Sequence, residues 1–336
     1  MPQKDIVVVG TSAGGIEALR SLVAALPADF PASVFVVQHL SPDAPSLLSD
    51  ILGRAARLPV SSARDGERFR PSHVYVAPPD HHLLLERGGV MRVTRGPKEN
   101  RFRPAVDPLF RSAARAYGPR VVGCVLTGNL DDGTTGLLAV KQQGGMAVVQ
   151  DPSDAFAPSM PRSAMRHVKV DHVLPLAEIG PLLARLAAEP AEERSRPVSD
   201  ELDIEVKIAL EDKAIEAGVL GLGGPSNYAC PDCHGVLLRL KSEGPMRFRC
   251  HTGHAYTADS LLAGVNENVE DSLWNTIRAL QEAEMLLRHL AEHLGAGRQS
   301  GQAEALLDRA ADLRRRADLV RQATLNHPKV GGGQSR

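Results

Sequence analysis

Hydrophobic and polar positions follow two alternating patterns in the first half of the chain. Residues 6–10 and 34–39 are short, β-branched apolar runs typical of strands, whereas residues 14–26 carry apolar side chains at the three- and four-residue spacing of a helix. A strand, a helix and a second strand in this order build a parallel sheet covered by helices. The pattern therefore predicts an α/β fold with a doubly wound, mainly parallel sheet.

The same two patterns continue to about residue 188. Residues 72–94 differ, because short strands there are joined by Pro-Pro-Asp and Gly-Gly turns, and we expect an antiparallel insertion on one side of the sheet. Further strands are predicted at residues 74–77, 121–126 and 146–149, and helices near residues 107–117, 134–143 and 176–188.

Beyond residue 188 the organisation changes. Residues 189–200 are rich in Pro, Ser and charge, which is typical of an exposed linker after a first domain of residues 1–188. A Cys- and His-containing module follows in residues 201–265, and two runs with apolar spacings of four and three predict a helical hairpin in residues 266–325. These helices are expected to pack against each other or to self-associate with a second chain, ahead of a flexible tail, residues 326–336.

The composition is that of an ordinary globular protein. Of 336 residues, 43% are hydrophobic and 24% charged, and 39 Lys and Arg against 40 Asp and Glu leave a net charge of −1. This near-neutral balance argues against a nucleic acid partner. No apolar run reaches the roughly 18 residues that cross a bilayer, and the N-terminus has no signal-peptide layout, so we expect no membrane insertion and a cytoplasmic location.

Residues 10–15 read Gly-Thr-Ser-Ala-Gly-Gly where the first predicted strand meets the first predicted helix. The run lacks the second glycine of a dinucleotide-binding loop and the Gly-Lys-Ser/Thr of a phosphate loop. It fits Gly-x-Ser-x-Gly, a sharp turn that raises a serine hydroxyl above a sheet, beside the unpaired N–H groups of a helix N-terminus. Ser12 is thus a candidate nucleophile, with a role as helix N-cap the alternative.

Further polar residues follow two other strands of the same predicted sheet. His39 closes the second strand, at the carboxyl edge where ligands bind in open α/β folds, and this place suits a base for Ser12. Asp131 and Asp132 follow the strand at residues 121–126. Each residue also has an alternative, purely structural role. His39 could be a core or surface histidine, and the two aspartates could belong to a tight turn before Gly133. A serine, a histidine and a carboxylate at one sheet edge nevertheless favour a catalytic triad.

The segment from Ile6 to about Ala188 resembles the catalytic domain of the chemotaxis protein-glutamate methylesterase family, CheB. The resemblance covers the whole first domain in order. It rests on Gly-x-Ser-x-Gly-Gly at residues 10–15, Gln-His at 38–39, Asp-Gly-Glu at 65–67, Val-Tyr-Val-Ala-Pro at 74–78, Arg-Pro-Ala-Val-Asp at 103–107, Leu-Thr-Gly at 126–128, Asp-Gly at 132–133 and Met-Pro-Arg at 160–162.

The resemblance implies the roles of the site residues. Ser12 would be the nucleophile, His39 the general base and Asp132, rather than Asp131, the orienting carboxylate. The family removes methyl groups from glutamyl esters of chemoreceptor-like proteins, can also deamidate glutamine, and needs no catalytic cofactor. Residues 101–107 would form a substrate lid or, alternatively, a helix lead-in with Asp107 as N-cap. The backbone around Ser12 and the 129 loop would supply the oxyanion hole, so the oxyanion and substrate candidates are Ala13, Gly14, Asn129, Arg103 and Met160.

The chain also departs from the family's pattern. Asn129-Leu130 stands where the family usually has Met-Gly, and Ala13 where threonine is common. These changes keep a second hypothesis open, a catalytically weak CheB-like protein that acts as a signalling scaffold through its C-terminal modules. Because the resemblance begins at residue 6, we expect a stand-alone form without the family's receiver domain and without control by phosphorylation in cis.

Three of the four cysteines lie in one short segment. Cys230 and Cys233 form a Cys-x-x-Cys pair, and Cys250 follows after sixteen residues with His254 in Cys-x₃-His spacing. Each of these two short motifs is typical of a zinc knuckle, and two knuckles together bring four ligands to one tetrahedral zinc ion. Because no ligand position is left open, the zinc would be structural. His251 fits less well because it adjoins Cys250, and a redox Cys-x-x-Cys would leave the third cysteine unused.

Overall fold

A seven-stranded parallel sheet forms the centre of the fold. The computed structural model describes residues 2–42, 46–211, 213–295 and 300–326. Strand order in the sheet is β3-β4-β2-β1-β7-β8-β9, and every neighbouring pair is parallel. The strands are β1 (Ile6–Thr11), β2 (Ser33–Gln38), β3 (Val60–Ser62), β4 (His73–Val76), β7 (Val121–Val125), β8 (Met146–Gln150) and β9 (His172–Leu174), with β5 (His82–Glu86) and β6 (Val90–Thr94) forming a separate antiparallel hairpin.

Helices cover both faces of this sheet. Side chains alternate along β1, so that Ile6 and Val8 pack on one face while Val7 and Val9 pack on the other, and the sheet carries a separate apolar core on each side. The predicted doubly wound α/β fold is therefore confirmed. The helices are α1 (Gly15–Ala25), α2 (Leu48–Gly53), α3 (Val106–Tyr117), α4 (Thr134–Gln142), α5 (Ser159–His167), α6 (Leu176–Ala187), α7 (Asp200–Glu211) and α8 (Ala214–Ala217), with 3₁₀ turns at Gly118–Arg120 and Val219–Gly221.

Two features differ from the sequence-based expectation. The prediction of an antiparallel insertion over residues 72–94 holds only for β5 and β6, because β4 pairs in parallel with β2 and β3 inside the main sheet. Its fully buried Val-Tyr-Val core explains that placement. Four short elements were not predicted, the edge strands β3 and β9 and the helices α2 and α5, since each carries too little periodic pattern to be recognised.

A second, smaller sheet contains the cysteine segment. It is a four-stranded antiparallel sheet in the order β10-β11-β12-β13, which we call the ribbon. The described part of residues 1–261 forms one compact unit that includes both sheets. The predicted boundaries at residues 188, 200 and 265 stay a prediction about domain organisation. The ribbon strands are β10 (Gly223–Ala229), β11 (Val236–Leu240), β12 (Arg247–Cys250) and β13 (Ala255–Thr257).

Two long helices follow the ribbon, α9 (Ala258–Gly295) and α10 (Ser300–Leu325). The described part of residues 262–336 makes up the second compact unit. Its buried positions on α10 recur every seven residues, at Ala303, Ala310, Ala317 and Thr324, which is the spacing of one helix face. The two predicted helices are present, while their connection at residues 296–299 and the tail from 327 onward lie outside the described residues. Within the described ranges, none of the helices has the length and apolar character needed to cross a bilayer.

Candidate active site

The turn after β1 places Ser12 at the carboxyl edge of the sheet. The Ser12 N–H donates to the carbonyl of Thr127, which follows β7, at 2.9 Å. Helix α1 is capped by Gly14 at a left-handed φ of 73°, so the alternative role of Ser12 as N-cap is wrong. A side chain at position 14 would lie 2.7 Å from Phe156, which explains why the turn needs glycine there.

The three predicted triad residues lie in one hydrogen-bonded chain. The Ser12 hydroxyl lies 3.1 Å from Nδ1 of His39, and Nε2 of His39 lies 2.7 Å from Oδ2 of Asp132. Both His39 and Asp132 are almost completely buried, with side chains 4% and 2% exposed. Oδ2 of an ionised Asp132 can only accept a hydrogen bond, so Nε2 of neutral His39 carries the hydrogen and Nδ1 presents its lone pair to Ser12. This geometry is that of a nucleophile, a base and an orienting carboxylate.

Asp132 is held as an anion by several donors. Oδ2 accepts the Val106 N–H at 2.6 Å, and Oδ1 accepts the Gly133 N–H and the side-chain amide of Asn100, both at 3.0 Å. Val106 begins α3, so the positive end of that helix faces the carboxylate. Burial by itself raises the pKa of Asp132, but His39 and these donors outweigh it and hold the pKa below its usual value.

The neighbouring Asp131 has a different environment. Its Oδ1 accepts the hydroxyl of Thr257, the last residue of β13, at 2.8 Å. Burial raises the pKa of Asp131 to about 7, and the nearby acidic groups add to the shift. This carboxyl group therefore faces the ribbon, whereas Asp132 faces His39.

Asp107 is also buried beside the triad. Burial, followed by the charge of Asp132, raises the pKa of Asp107 to about 6, and its Oδ1 accepts the Gly136 N–H at 2.6 Å. The alternative expectation that Asp107 caps α3 is wrong, because the N-cap is Ala105 and Asp107 lies within the first turn. Asp107 instead links the start of α3 to α4.

The unusual pair Asn129-Leu130 leaves the triad intact. Leu130 has a φ of 59°, a left-handed conformation that favours glycine, which is the residue expected there from the family pattern. Asn129 is exposed. The loop accepts the strained leucine and still places Asp132 within 2.7 Å of His39, so the departure does not disturb the alignment of the triad.

A cleft of about 480 Å³ opens over Ser12 and His39. Residues 98–103 form one wall, where Phe102 stacks on the His39 ring with centroids 3.7 Å apart and planes 11° apart. The Arg103 guanidinium donates two hydrogen bonds to Oδ1 of Asp80, at 2.8 and 2.6 Å, which holds this wall in place. The cleft is lined by Ser12, Ala13, Gln38, His39, Leu40, Ser41, Pro42, Asp80, Lys98, Arg101, Phe102 and Arg103.

The remaining predicted site residues fall into two groups. Ala13 lines the cleft, and Gly14 caps α1 beside it, at the helix end that carries unpaired N–H groups. Met160 is fully buried: its N–H donates to the Gly128 carbonyl at 2.9 Å, and its sulfur lies against Gly128. Met160 therefore supports the loop from behind.

Sequence reasoning missed Asn100 and Phe102. Both lie in a segment without regular structure and contact the triad directly, Asn100 at Asp132 and Phe102 at His39. Residues in an irregular loop lack the periodic apolar pattern by which helices and strands are recognised. Their only sequence cue is their place just ahead of the Arg-Pro-Ala-Val-Asp run at 103–107.

The ribbon gathers four ligand atoms into one cluster. The three sulfurs of Cys230, Cys233 and Cys250 and a ring nitrogen of His254 all lie within 4.8 Å of one another. The Cys233 and Cys250 sulfurs are 3.7 Å apart, and Nδ1 of His254 is 3.5 Å from the Cys250 sulfur. Two sulfurs bound at ~2.3 Å to one tetrahedral zinc lie about 3.8 Å apart, so the cluster has the dimensions of a zinc site.

Comparisons with known proteins bear on the sheet domain. The CheB methylesterase family profile matches residues 7–183. A Leptospira interrogans protein is 37% identical over 190 residues, covering 56% of this chain and 98% of that protein. The Pseudomonas aeruginosa "Protein-glutamate methylesterase/protein-glutamine glutaminase 2" is 41% identical over 188 residues, covering 55% of this chain but 54% of that protein.

A solved structure agrees with these matches. The Thermotoga maritima CheB methylesterase catalytic domain superposes with a TM-score of 0.53 at 37% identity, covering 54% of this chain and 98% of that domain. The seven-stranded sheet, the Ser-His-Asp chain at its edge and more than half of the sequence thus agree with one family. The chain belongs to the CheB methylesterase family.

Proposed function

We propose that the protein is a serine hydrolase that removes methyl groups from glutamyl methyl esters of chemoreceptor-like proteins. The observation that carries the proposal is the hydrogen-bonded chain from Ser12 through His39 to Asp132 at the floor of an open cleft. Glutamine deamidation, which the names of the relatives include, is proposed as a second reaction of the same site. Both reactions replace a leaving group on one γ-carbonyl carbon.

The geometry assigns each residue a step. His39 accepts the Ser12 proton at Nδ1 as the hydroxyl oxygen attacks the ester carbonyl, and Asp132 stabilises the resulting imidazolium through Nε2. The imidazolium then donates that proton to the departing methoxy oxygen, and methanol leaves. Water, deprotonated by the same nitrogen, hydrolyses the acyl-serine and regenerates the hydroxyl.

The oxyanion of the tetrahedral intermediate needs N–H donors that are not already used. The Ser12 and Gly128 N–H groups donate to the carbonyls of Thr127 and Ala157, so neither is available. We assign the oxyanion hole to the Ala13 N–H at the start of α1, together with Gly14 and the Asn129 backbone across the cleft. On the opposite wall, Lys98 and Arg101 give the cleft a cationic side that suits an acidic segment around the esterified glutamyl group.

The ribbon is proposed to hold one structural zinc ion. Cys230, Cys233, Cys250 and His254 would be the ligands, and their spacing fits a closed tetrahedral site. The hydroxyl of Thr252 lies 3.2 Å from the Cys233 sulfur and 2.9 Å from the Cys250 sulfur, where it can donate to a thiolate. A zinc ion there would tie the two knuckles together and stabilise the ribbon fold.

Metal analysis tests this site. One zinc per chain is expected in the native protein, and Cys250→Ser should lose it together with thermal stability of the ribbon. A matched Cys124→Ser change, at a buried core cysteine outside the cluster, should leave the zinc content unchanged. Native protein without stoichiometric zinc would contradict the assignment.

Two further expectations remain proposals from the sequence. Self-association through α9 and α10 is proposed from the apolar spacings of four and three residues in both helices. A cytoplasmic location and the absence of a nucleic acid partner likewise remain predictions.

Covalent labelling tests the hydrolase proposal directly. A fluorophosphonate probe should label Ser12, as identified by peptide mass spectrometry, and Ser12→Ala should abolish the label. Ser272→Ala is the matched control, because Ser272 lies exposed on α9 and its hydroxyl donates only within that helix. Failure of the native protein to react, or a label at another residue, would contradict the proposal and favour a scaffold without turnover.

A further inference from the structure

The ribbon extends its own sheet to the wall of the active site. The Asn100 N–H donates to the Ala255 carbonyl in β13 at 2.8 Å, and the Ala255 N–H donates to the Lys98 carbonyl at 3.2 Å. Residues 98–103, which form a wall of the cleft, are thus paired with the last ribbon strand. The ribbon and the catalytic sheet therefore share one hydrogen-bonded element.

The side chain of Asn100 connects the two parts at the triad. On one side its amide nitrogen donates to Oδ1 of Asp132 at 3.0 Å and to Oδ2 of Asp107 at 3.1 Å. On the other side its amide oxygen accepts the Thr257 N–H at 3.1 Å and the Ser260 hydroxyl at 3.0 Å. Asn100 is only 4% exposed, so these four contacts replace water entirely.

The ribbon side determines which way the amide points. A backbone N–H can only donate, and the Thr257 N–H is shared between the Asn100 side chain at 3.1 Å and the Ser260 hydroxyl oxygen at 2.9 Å, so the Asn100 atom on this side is the oxygen. The amide nitrogen must then face the carboxylates of Asp132 and Asp107. Thr257 is itself held at the start of α9, where its hydroxyl oxygen accepts the Ser260 N–H at 3.1 Å.

A buried ionic cluster fastens the same segment to the ribbon. Glu99, next to Asn100, pairs with Arg111 of α3 and with Arg249 of β12 at 3.0 Å. Arg249 also contacts Glu205 of α7 at 3.1 Å. All of these side chains are fully buried, so residues 98–100 cannot shift without breaking charged contacts.

We propose that Asn100 is a positioning residue for the triad, oriented by Thr257 and Ser260, so that the ribbon contributes to catalysis through Asp132. The proposal rests on the proposed function of the triad and extends it to a region outside the matched family segment. Asn100 stabilises the Asp132 anion and fixes the Oδ1 side of its carboxylate. Oδ2 then stays aligned with Nε2 of His39.

Replacing Asn100 tests its role. Asn100→Gly suits the left-handed backbone, with φ of 51°, and removes the side-chain amide together with its β-carbon. We expect kcat for methyl ester hydrolysis to fall about 10- to 100-fold, the effect of losing one hydrogen bond to a charged group, while KM changes less than about twofold. The rate of fluorophosphonate labelling at Ser12 should fall in parallel, because it depends on the same triad.

A double-mutant cycle separates positioning from simple destabilisation. Ser260→Ala should lower the labelling rate about three- to tenfold in the native background but should have no further effect in the Asn100→Gly background, since Ser260 acts through Asn100. Ser226→Ala is the matched control, because the Ser226 hydroxyl donates to Leu237 elsewhere in the ribbon. It should leave the rate unchanged in both backgrounds.

Three results would overturn the proposal. They are a native rate in Asn100→Gly, equal losses from Ser260→Ala in both backgrounds, and a rise in KM without loss of kcat. Fluorophosphonate labelling needs no protein substrate, so it tests the role of Asn100 separately from the proposed substrate. If Ser12 is labelled but no methanol is released from a glutamyl ester, the proposed function fails while the positioning role is still measured; if native Ser12 is not labelled, both fail.

Discussion

Two adjacent aspartates show how much of the site depends on the burial and partners of single residues. Asp132 accepts hydrogen bonds from His39, Asn100 and three backbone N–H groups, and its pKa lies below the usual value. Asp131, one residue earlier, accepts one hydroxyl from Thr257, and burial raises its pKa to about 7. The same side chain is therefore an anion beside the imidazole in one case and a readily protonated acid in the other.

The same Asp→Asn substitution at these two positions should lower kcat strongly at Asp132 and only slightly at Asp131. Asp132→Asn should lower kcat by about 10⁴-fold, as the loss of the orienting carboxylate does in serine hydrolases. Asp131→Asn should keep kcat within about fivefold, since an amide resembles the protonated acid and Asp131 does not contact His39. Methyl ester hydrolysis at pH 6.5, where most of Asp131 keeps its proton, measures both. Equal losses in the two variants would contradict the assignment of Asp132.

The raised pKa of Asp131 also predicts a pH dependence of stability. The folded state retains the proton up to about pH 7, whereas an unfolded aspartate loses it near pH ~3.9. The contribution of Asp131 to the free energy of unfolding is therefore fully present below pH ~3.9. It is lost as the pH rises toward 7, at up to about 1.4 kcal/mol per pH unit. Urea unfolding at pH 5, 6 and 7 should show a flatter profile for Asp131→Asn than for the native protein. Identical slopes would show that Asp131 ionises normally.

The sequence predicted the triad residues but not their support. Ser12, His39 and Asp132 each follow a strand, and the carboxyl ends of parallel strands meet at one edge, so their proximity follows from the pattern. Asn100 reaches Asp132 from a loop whose path is set by the ribbon, more than 150 residues later in the chain. Such a contact between distant segments leaves no trace in local periodicity.

At the scale of elements, the sequence identified the long regular pieces and missed the short ones. Buried β-branched runs such as β1 and β2 and amphipathic helices such as α6 agree with the prediction to within one or two residues. The three-residue β9 was missed, and β4 was grouped with the hairpin because its turn-rich surroundings outweighed its own buried pattern. Tertiary pairing, and not local sequence, decides the partner of so short a strand.

A cluster of buried ion pairs connects α3, α7 and β12. Glu205 of α7 accepts hydrogen bonds from Arg247 and Arg249, and the surrounding arginines hold its pKa far below the usual value against the effect of burial. Glu205→Gln would leave buried guanidinium groups without their counter-charge. We expect a loss of about 3–5 kcal/mol in the free energy of unfolding, measured by urea titration with circular dichroism.

The control for this prediction is an exposed pair. Glu282 accepts from Arg278 one helical turn away on α9, and both side chains are more than half exposed. Glu282→Gln should change stability by less than about 0.5 kcal/mol. Equal effects of the two Glu→Gln changes would show that the buried cluster does not stabilise the junction.

At the scale of the whole molecule, the catalytic sheet and the ribbon belong to one compact unit. The T. maritima catalytic domain matches about half of this chain and is itself covered over 98% of its length. In this chain the loop at residues 98–103 and α3 also carry three buried side chains, Glu99, Asn100 and Arg111, that contact α7 or the ribbon. The ribbon therefore supplies buried contacts to the loop that lies against Asp132 and His39.

Shortened chains test this dependence. A chain ending at Ala188 loses the partners of Asn100 and Glu99, so its Ser12 labelling rate should fall at least about tenfold. A chain ending at Gly295 keeps α7, the ribbon and α9 and should react like the full chain. An unchanged or faster rate in the shorter chain would show that the ribbon is dispensable or inhibitory.

The most direct test of the central claim is the initial rate of methanol release from a methylated chemoreceptor, with the unmethylated receptor as the blank. The native protein should release methanol catalytically, and Ser12→Ala should reduce the rate by about 10⁶-fold, to the background of the assay. Methanol release that persists in Ser12→Ala, or no release by native protein whose Ser12 reacts with a fluorophosphonate, would contradict the account.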